Sequence, residues 1–466
     1  MRLWGFGHYY NQLTRQRPYT MTRIIRQNMS TSKEPIDLLS GWPNPSLLPP
    51  HQLSTAAQTI LADIELSKSS LKYAPDAGYQ PLREVLATWL NSFYKPNTAT
   101  TVDRICITGG ASQNLACILQ TFTDPIYTRN IWMVAPTYFL ACRIFDDSGF
   151  AGRMKGIPED EEGIDIDFLA DQIAKSERHA LDQGNTEPKL KSKYAWRKTY
   201  KHIIYAVPTF ANPSGRVMSL RRREQLVRLA RAYDALIVTD DVYDMLAWSS
   251  TPRPRAWTAV QPRLVDIDSS LDNGPTTPWG NTLSNGSFSK IIAPGCRTGW
   301  AEAQPQLAWA ISQCGSSRSG GAPSQLVASI IHQMIATGAL DAHLQNTLLP
   351  AYADRYRCMT RAIAQHLLPL GVTTPQITAN TAVAGGYFIF LTLPAPLLAE
   401  DIRKQALAQE NLTVISGPRF RVAGDENGNE MSFDRELRLC FSFEEYGKLE
   451  EGVLRLARVI KSKLER

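Results

Sequence analysis

In the stretch SNGSFSKIIAPGCRTGW, residues 284–300, Lys290 and Arg297 stand seven residues apart among serines, glycines and a proline. Lysine and arginine ordinarily go to solvent, whereas small residues let a backbone approach something closely. The combination suits a ligand that needs one amine and one anion grip. Lys290 supplies a nucleophilic amine, and Arg297 a rigid fork that matches phosphate. The small neighbours Gly286, Ser287 and Ser289 leave room for such a ligand against the chain.

Other chemistry-bearing residues stand at the ends of apolar runs. Asp240 closes ALIVTDD (235–241), with Tyr243 three residues on. Gly109, Gly110, Ala111 and Ser112 follow RICIT, where backbone N–H groups and a hydroxyl would meet at a helix N-terminus, a ready anion site. Tyr138 lies in APTYFLA and Asn212 in PTFANPSG. This is the kit for a ring cofactor with a phosphate, an aldehyde and a pyridine nitrogen. Lys290 would take the aldehyde, and Arg297 with Gly110, Ala111 and Ser112 the phosphate. Tyr138 would stack on the ring, while Asn212 and Tyr243 share its hydroxyl. Strand alternation sends Asp240 and Asp241 to opposite sides, and Asp240, three before Tyr243, is assigned to the ring nitrogen. A carboxylate about 4 Å from that nitrogen is worth about 4 kcal/mol at an effective dielectric of about 20, enough to keep it protonated at neutral pH.

These residues need a sheet whose strands end at one edge. From about residue 80, strand-like segments (104–110, 130–136, 202–208, 235–241) alternate with helix-like ones (111–122, 221–234). That predicts an α/β fold with a largely parallel sheet, and ligands gather at the carboxyl ends of such strands. Residues 176–200 are highly charged and 262–283 rich in Pro, Asp, Gly and Thr, and both read as exposed excursions. Beyond about 330, longer helices lead to GGYFIFLTLP (385–394) and ELRLCFSF (436–443), strands of a smaller α+β region.

The pieces LLSGWPNPSLLP, LKYAPDAGYQPLRE, ITGGASQNLA, APTYFLA, PTFANPSG, VTDDVYD, SNGSFSKIIAPGCRTGW, SGGAPSQL, GGYFIF and LRLCFSF occur in this order. Together they resemble the class I/II pyridoxal-phosphate aminotransferases, from residue 36 to the C-terminus. The resemblance implies fold type I, with a mostly parallel seven-stranded sheet in a large domain, 76–325. A small domain would comprise 326–466 and the N-terminal segment 36–75. It implies pyridoxal 5'-phosphate as cofactor, Lys290 as its covalent anchor, and Arg438 as the partner of the substrate α-carboxylate. Gly41 and Trp42 would belong to a loop closing over substrate, and the Asn212–Pro213 peptide would be cis. Tyr73 would reach the phosphate of a second subunit, making a homodimer with shared sites. The motif set is especially similar to fungal L-tryptophan aminotransferases of terrequinone-type bisindolylquinone biosynthesis, which make indole-3-pyruvate. With one clear carboxylate arginine and many aromatics, an aromatic amino acid is the expected donor. An aminoadipate/kynurenine-type aminotransferase or a C–S lyase would use the same cofactor kit.

Composition sets further bounds. At 466 residues the chain is long enough for two domains. A net charge of +6 without a long basic block gives little support for nucleic-acid binding, and no apolar run predicts a membrane span. Seven cysteines without paired spacing point to reduced thiols and a cytoplasmic setting. Cys106, Cys117 and Cys440 read as core residues. The histidines, His51, His179 and His202 among them, show no metal spacing. Residues 1–35 read as a disordered or targeting tail; its arginines Arg2, Arg15, Arg17, Arg23 and Arg26, with no acidic residue before Glu34, would also suit mitochondrial import. A transcription regulator on this scaffold would need an added helix-turn-helix domain, for which the 35 residues before IDLLSGW are too few.

Overall fold

The computed structural model of the chain describes residues 33–251, 255–318, 323–378, 382–425 and 431–465. Its central sheet comprises β1 (Ile105–Thr108), β2 (Asn130–Ala135), β3 (Met154–Asp160), β4 (Gly163–Ile164), β5 (His202–Ala206), β6 (Ala235–Asp240), β7 (Thr282–Ser287) and β8 (Gly299–Ala303). They lie side by side in the order β1-β8-β7-β6-β5-β2-β3-β4. All neighbours pair in parallel except β8, which runs antiparallel to β1 and β7, and the two-residue β4. β4 is an eighth strand where seven are expected; Gly163, at φ +115°, lets the chain turn back along β3.

Both faces of the sheet are covered, as parallel strands require. Alternate side chains sort cleanly: Ile203, Tyr205, Leu236 and Val238 join one apolar cluster, and Ile204, Ala206, Ala235 and Ile237 the other. The helix α1 (Ala111–Phe122) packs Leu115, Ile118, Leu119 and Phe122 onto the first face. On the second, α2 (Ile166–Asp182) and α3 (Leu220–Ala232) bury Leu169, Ile173, Leu226 and Val227.

The two expected excursions are partly built into this body. Residues 176–182 finish α2, where Glu177 binds Arg129 at 2.7 Å and buried His202 at 3.1 Å. Between 262 and 283 stands a helix, α4 (Leu264–Ser270), and Arg263 at its N-cap is 1 % exposed. Composition suggested solvent in both places; instead Glu177 and Arg263 found charged partners inside, which composition does not reveal.

Toward the C-terminus, β9 (Phe388–Thr392), β10 (Ile415–Ser416) and β11 (Glu436–Cys440) form an antiparallel sheet in the order β9-β11-β10. The segment Ile36–Asp37 pairs in parallel with Leu412–Thr413, and Leu38 O accepts a 2.8 Å bond from Cys440 N. That pairing lays residues 39–42 beside the ends of the large sheet's strands. The arginine-rich tail before Lys33 and the first half of SGGAPSQL lie outside the described residues. Among those described, no helix is long and apolar enough to cross a membrane.

Candidate active site

The loop after β1 meets the turn before β8 at the sheet's edge. Gly110, at φ +95°, precedes Ala111 at the start of α1, and a Cβ there would come within 2.8 Å of Arg297 Nη2. Arg297 itself is held at φ +44°, donating from Nη2 to Gly109 O (3.2 Å) and from Nη1 to Pro294 O (3.1 Å) and Ser289 Oγ (3.4 Å). Ser287 Oγ donates to Ser289 Oγ at 3.0 Å. Ser112 is exposed on the first turn of α1, and Asn285 Nδ2 ties Ala111 O to β7 at 2.9 Å. The guanidinium, two serines and an open helix end thus converge, as expected of an anion cradle. Gly286 has a different purpose from the expected one: a Cβ there would lie 2.1 Å from the Trp300 ring, so its smallness admits Trp300 rather than a ligand.

Lys290 stands in the turn after β7, and its Nζ donates to Gly41 O at 2.8 Å. Burial pushes the amine down to about 8, and a nearby Arg438 adds to this against the opposing Cys440 and Asp240. Asp240 closes β6. Its Oδ2 accepts from Tyr205 Oη at 3.0 Å, while Oδ1 is buried without a partner. Burial raises this carboxyl to about 6, with Tyr205 pulling the other way. Asp241 points to the opposite face, accepting from Thr239 and from Ser284 at 2.7 and 2.5 Å. Strand alternation therefore separates the two carboxylates as expected.

Arg438, on β11, is 4 % exposed. Its Nη1 donates to Asn212 Oδ1 at 2.8 Å and its Nη2 to Leu39 O at 2.5 Å, while Nε is buried and unpartnered. The guanidinium lies 4.0 Å from the Phe388 ring centre and 5.2 Å from that of Phe420. The Asn212–Pro213 peptide is cis. Tyr243 is buried edge-on to Tyr387 at 5.4 Å and Phe388 at 6.0 Å. Tyr138 caps the helix after β2, its hydroxyl pushed up to about 12 by burial and by Asp240. At the rim, Trp42 is 52 % exposed and edge-on to Phe443 at 5.5 Å; Gly41 has no room for a Cβ, which would sit 2.7 Å from Phe388. Tyr73 is 85 % exposed.

Of three further residues here, Tyr205 had no assignment from the sequence, Tyr387 reads equally as a core aromatic or a specificity residue, and Cys440 reads as core. Tyr205 was hidden in a fully buried strand, and its one polar atom was the available signal. Tyr387 donates to the backbone oxygen of Lys290 at 3.2 Å and meets the Tyr352 hydroxyl at 3.1 Å. Cys440 is fully buried like a core residue, its thiol pushed up by burial and 3.1 Å from Ser442 Oγ.

Aminotransferase class I and II is the family that matches, over residues 37–453. The chain is a class I/II aminotransferase. It is 35% identical to an uncharacterized protein of Saccharomyces cerevisiae over 451 residues, 92% of this chain and 97% of that protein. It is 28% identical to aromatic-amino-acid aminotransferase 1 of Thermococcus litoralis, covering 92% of this chain and 89% of that one. The kynurenine aminotransferase of Pyrococcus horikoshii, solved in complex with PMP, superposes with a TM-score of 0.75 at 25% identity, over 98% of each chain. The aminotransferase is therefore an enzyme of fold type I that depends on pyridoxal 5'-phosphate. Its residues fit that cofactor on their own geometry: an amine at Lys290, an orphaned buried oxygen at Asp240, and a glycine-lined cradle against Arg297.

Proposed function

We propose that this aminotransferase takes an aromatic L-amino acid as donor, L-tryptophan foremost, and returns indole-3-pyruvate while passing the amino group to a 2-oxo acid. The observation that carries this is the setting of Arg438, whose guanidinium lies between the rings of Phe388 and Phe420. Its hydrogen bonds go to Asn212 and Leu39, and Lys290 is the cation near it. An apolar, ring-lined wall beside a carboxylate grip favours a flat hydrophobic side chain. The similarity to fungal tryptophan aminotransferases of secondary metabolism puts tryptophan first among such donors.

Pyridoxal phosphate, when bound, supplies an aldehyde carbon for the substrate amine and a ring that draws electrons from the α-carbon. Around it, Gly110, Ala111, Ser112, Ser287, Ser289 and Arg297 would hold the phosphate, and Tyr138 would cover a ring face. Asp240 would partner the ring nitrogen, and Asn212 and Tyr243 the ring hydroxyl. Arg438 Nη1 and Nη2 exchange their bonds to Asn212 and Leu39 for the α-carboxylate. Lys290 Nζ, freed from Gly41 O, removes the α-proton and carries it to the cofactor side; an amine near 8 does this without strong base. Trp42 and Gly41 close the mouth and exclude water. Tyr73, so exposed in one chain, would contribute to the phosphate site of a second copy in a homodimer. The cytoplasm is the proposed compartment, argued from the unpaired cysteine spacing.

The deciding experiment mixes purified holoenzyme with tryptophan, phenylalanine, tyrosine, kynurenine, 2-aminoadipate or a cysteine S-conjugate, each with a 2-oxo acid. The expected result is the highest kcat/KM for tryptophan with indole-3-pyruvate as product. Preference for 2-aminoadipate would overturn the aromatic assignment, and pyruvate release from the cysteine conjugate without transamination would make the enzyme a lyase.

A further inference from the structure

We propose that Tyr205 is a positioning residue for the amino-transfer reaction: its hydroxyl holds Asp240 by one oxygen, keeping that carboxylate ionised and aiming the other oxygen at the cofactor ring. This rests on the reading of Asp240 as the ring-nitrogen partner.

The placement follows from strand alternation. In β6, Leu236, Val238 and Asp240 share a face, and on neighbouring β5 Tyr205 packs on that same face in register with Val238. The Tyr205 ring is fixed edge-on against Phe145 at 5.8 Å, and the residue is 2 % exposed. Its hydroxyl donates to Asp240 Oδ2 at 3.0 Å. Oδ1, on the same carboxylate, has no protein partner though buried. A carboxylate with one oxygen fixed and one orphaned has a set direction. Tyr205 lines a small cavity together with Tyr138 and Asn212, two residues read as contacts of the cofactor ring.

A buried carboxyl prefers to be protonated, and Asp240 sits at about 6 with burial as the main cause. The groups facing it are Tyr205 from β5, Asp241 from its own strand and Lys290 from the turn after β7, together with the hydroxyls of Tyr138 and Tyr243. Asp241 disfavours its charge, and burial pulls Lys290 itself toward neutrality. The Tyr205 hydrogen bond is the larger support for the ionised form, with the Lys290 charge adding to it. A hydrogen bond to a charged acceptor is worth enough to move such a group by about one pH unit or more. Without it, Asp240 would titrate around neutrality and the ring nitrogen would lose its anionic partner at working pH.

The test is Tyr205→Phe, which keeps the ring packed on Phe145 and removes only the hydroxyl. In the apoprotein, infrared titration of the buried carboxyl, with Asp240→Asn as the blank, should show the protonation midpoint rise by about one pH unit. In the holoenzyme, the acid limb of kcat/KM should move up by the same amount, with the alkaline limb and KM little changed. In an Asp240→Asn background, Tyr205→Phe should have no further effect on cofactor affinity. An unmoved midpoint, an equal loss in both backgrounds, or failure to fold in both would each overturn the inference, because the hydroxyl would then carry packing rather than charge. Full turnover by Asp240→Asn would instead break the reading of Asp240 itself.

Discussion

Two buried clusters of charge flank the same sheet, and they behave in opposite ways. Beside β8, Arg263 directs Nε and Nη2 to the two oxygens of Asp266 at 3.0 and 2.8 Å, and Nη1 to Glu302 at 2.6 Å. Every nitrogen of that guanidinium is engaged. Burial alone would lower its pKa, but Asp266 and Glu302 more than reverse this. At the other cluster, Arg438 leaves Nε unpartnered and Asp240 leaves Oδ1 unpartnered, and burial dominates the shifts of Arg438, Asp240 and Lys290. Buried charge that closes on itself is architecture. Unpartnered buried atoms also occur at Arg104 Nε and Asp244 Oδ1, but the second cluster adds a buried amine beside them.

The sharpest way to break this contrast is at the amine. Lys290→Ala should cut turnover by about 10⁴-fold or more, since general acid–base transfer and the covalent anchor go together, and the visible absorption of the bound cofactor should shift; a coloured, active variant would end the comparison. The two arginines come next. Arg263→Ala should strip stability by about 3–5 kcal/mol, because it strands two buried carboxylates, while the surviving enzyme keeps its KM. Arg438→Ala should instead leave the melting temperature within a few degrees and raise the KM for amino acid by about 10²-fold or more. Exchanged outcomes would show that satisfaction of hydrogen bonds does not separate structure from function here.

A gentler probe uses the cost of the unpaired carboxylate. Asp240 is raised from 3.8 to about 6, so the folded apoprotein binds the proton more tightly than the unfolded chain. By linkage that cost is absent below about pH 4, grows as pH rises through about 6, and is complete at neutrality. Asp240→Asn should therefore stabilise the apoprotein at pH 7 by up to about 3 kcal/mol, at 1.36 kcal/mol per unit, with no gain at pH 4; denaturant melts at the two pH values measure it. The smallest effect concerns Lys290: its labelling by an amine reagent in the apoprotein should half-rise near pH 8, rather than at the ordinary 10.5. A half-rise at 10.5 would place the amine in solvent.

Much of the site was legible because its signals are local. Lys290 and Arg297 share one turn, Asp240 ends an apolar strand, and Gly110 opens a helix. Period-two alternation put Asp240 and Asp241 on opposite sides, as their different bonding partners show, and Asp240 was chosen because it stands three before Tyr243. What failed was also local reasoning. The charge of 176–200 and the Pro, Asp, Gly and Thr of 262–283 suggested solvent, but Glu177 pairs with Arg129 and Arg263 with Glu302, both distant in the chain, and Arg263 also with Asp266 three residues on. Gly286 looked like space for a ligand and proved to be space for Trp300.

The chain's chemistry was thus written in residue type and spacing: an amine, an anion fork, strand-end carboxylate and the α/β order that collects them. Only the folded molecule decided which buried atoms remain without partners. Gly41 meets Lys290 across 249 residues, and Leu39 meets Arg438 across 399. Contacts at such separations depend on how strands from both ends of the chain come into register, and no local window of sequence contains that information.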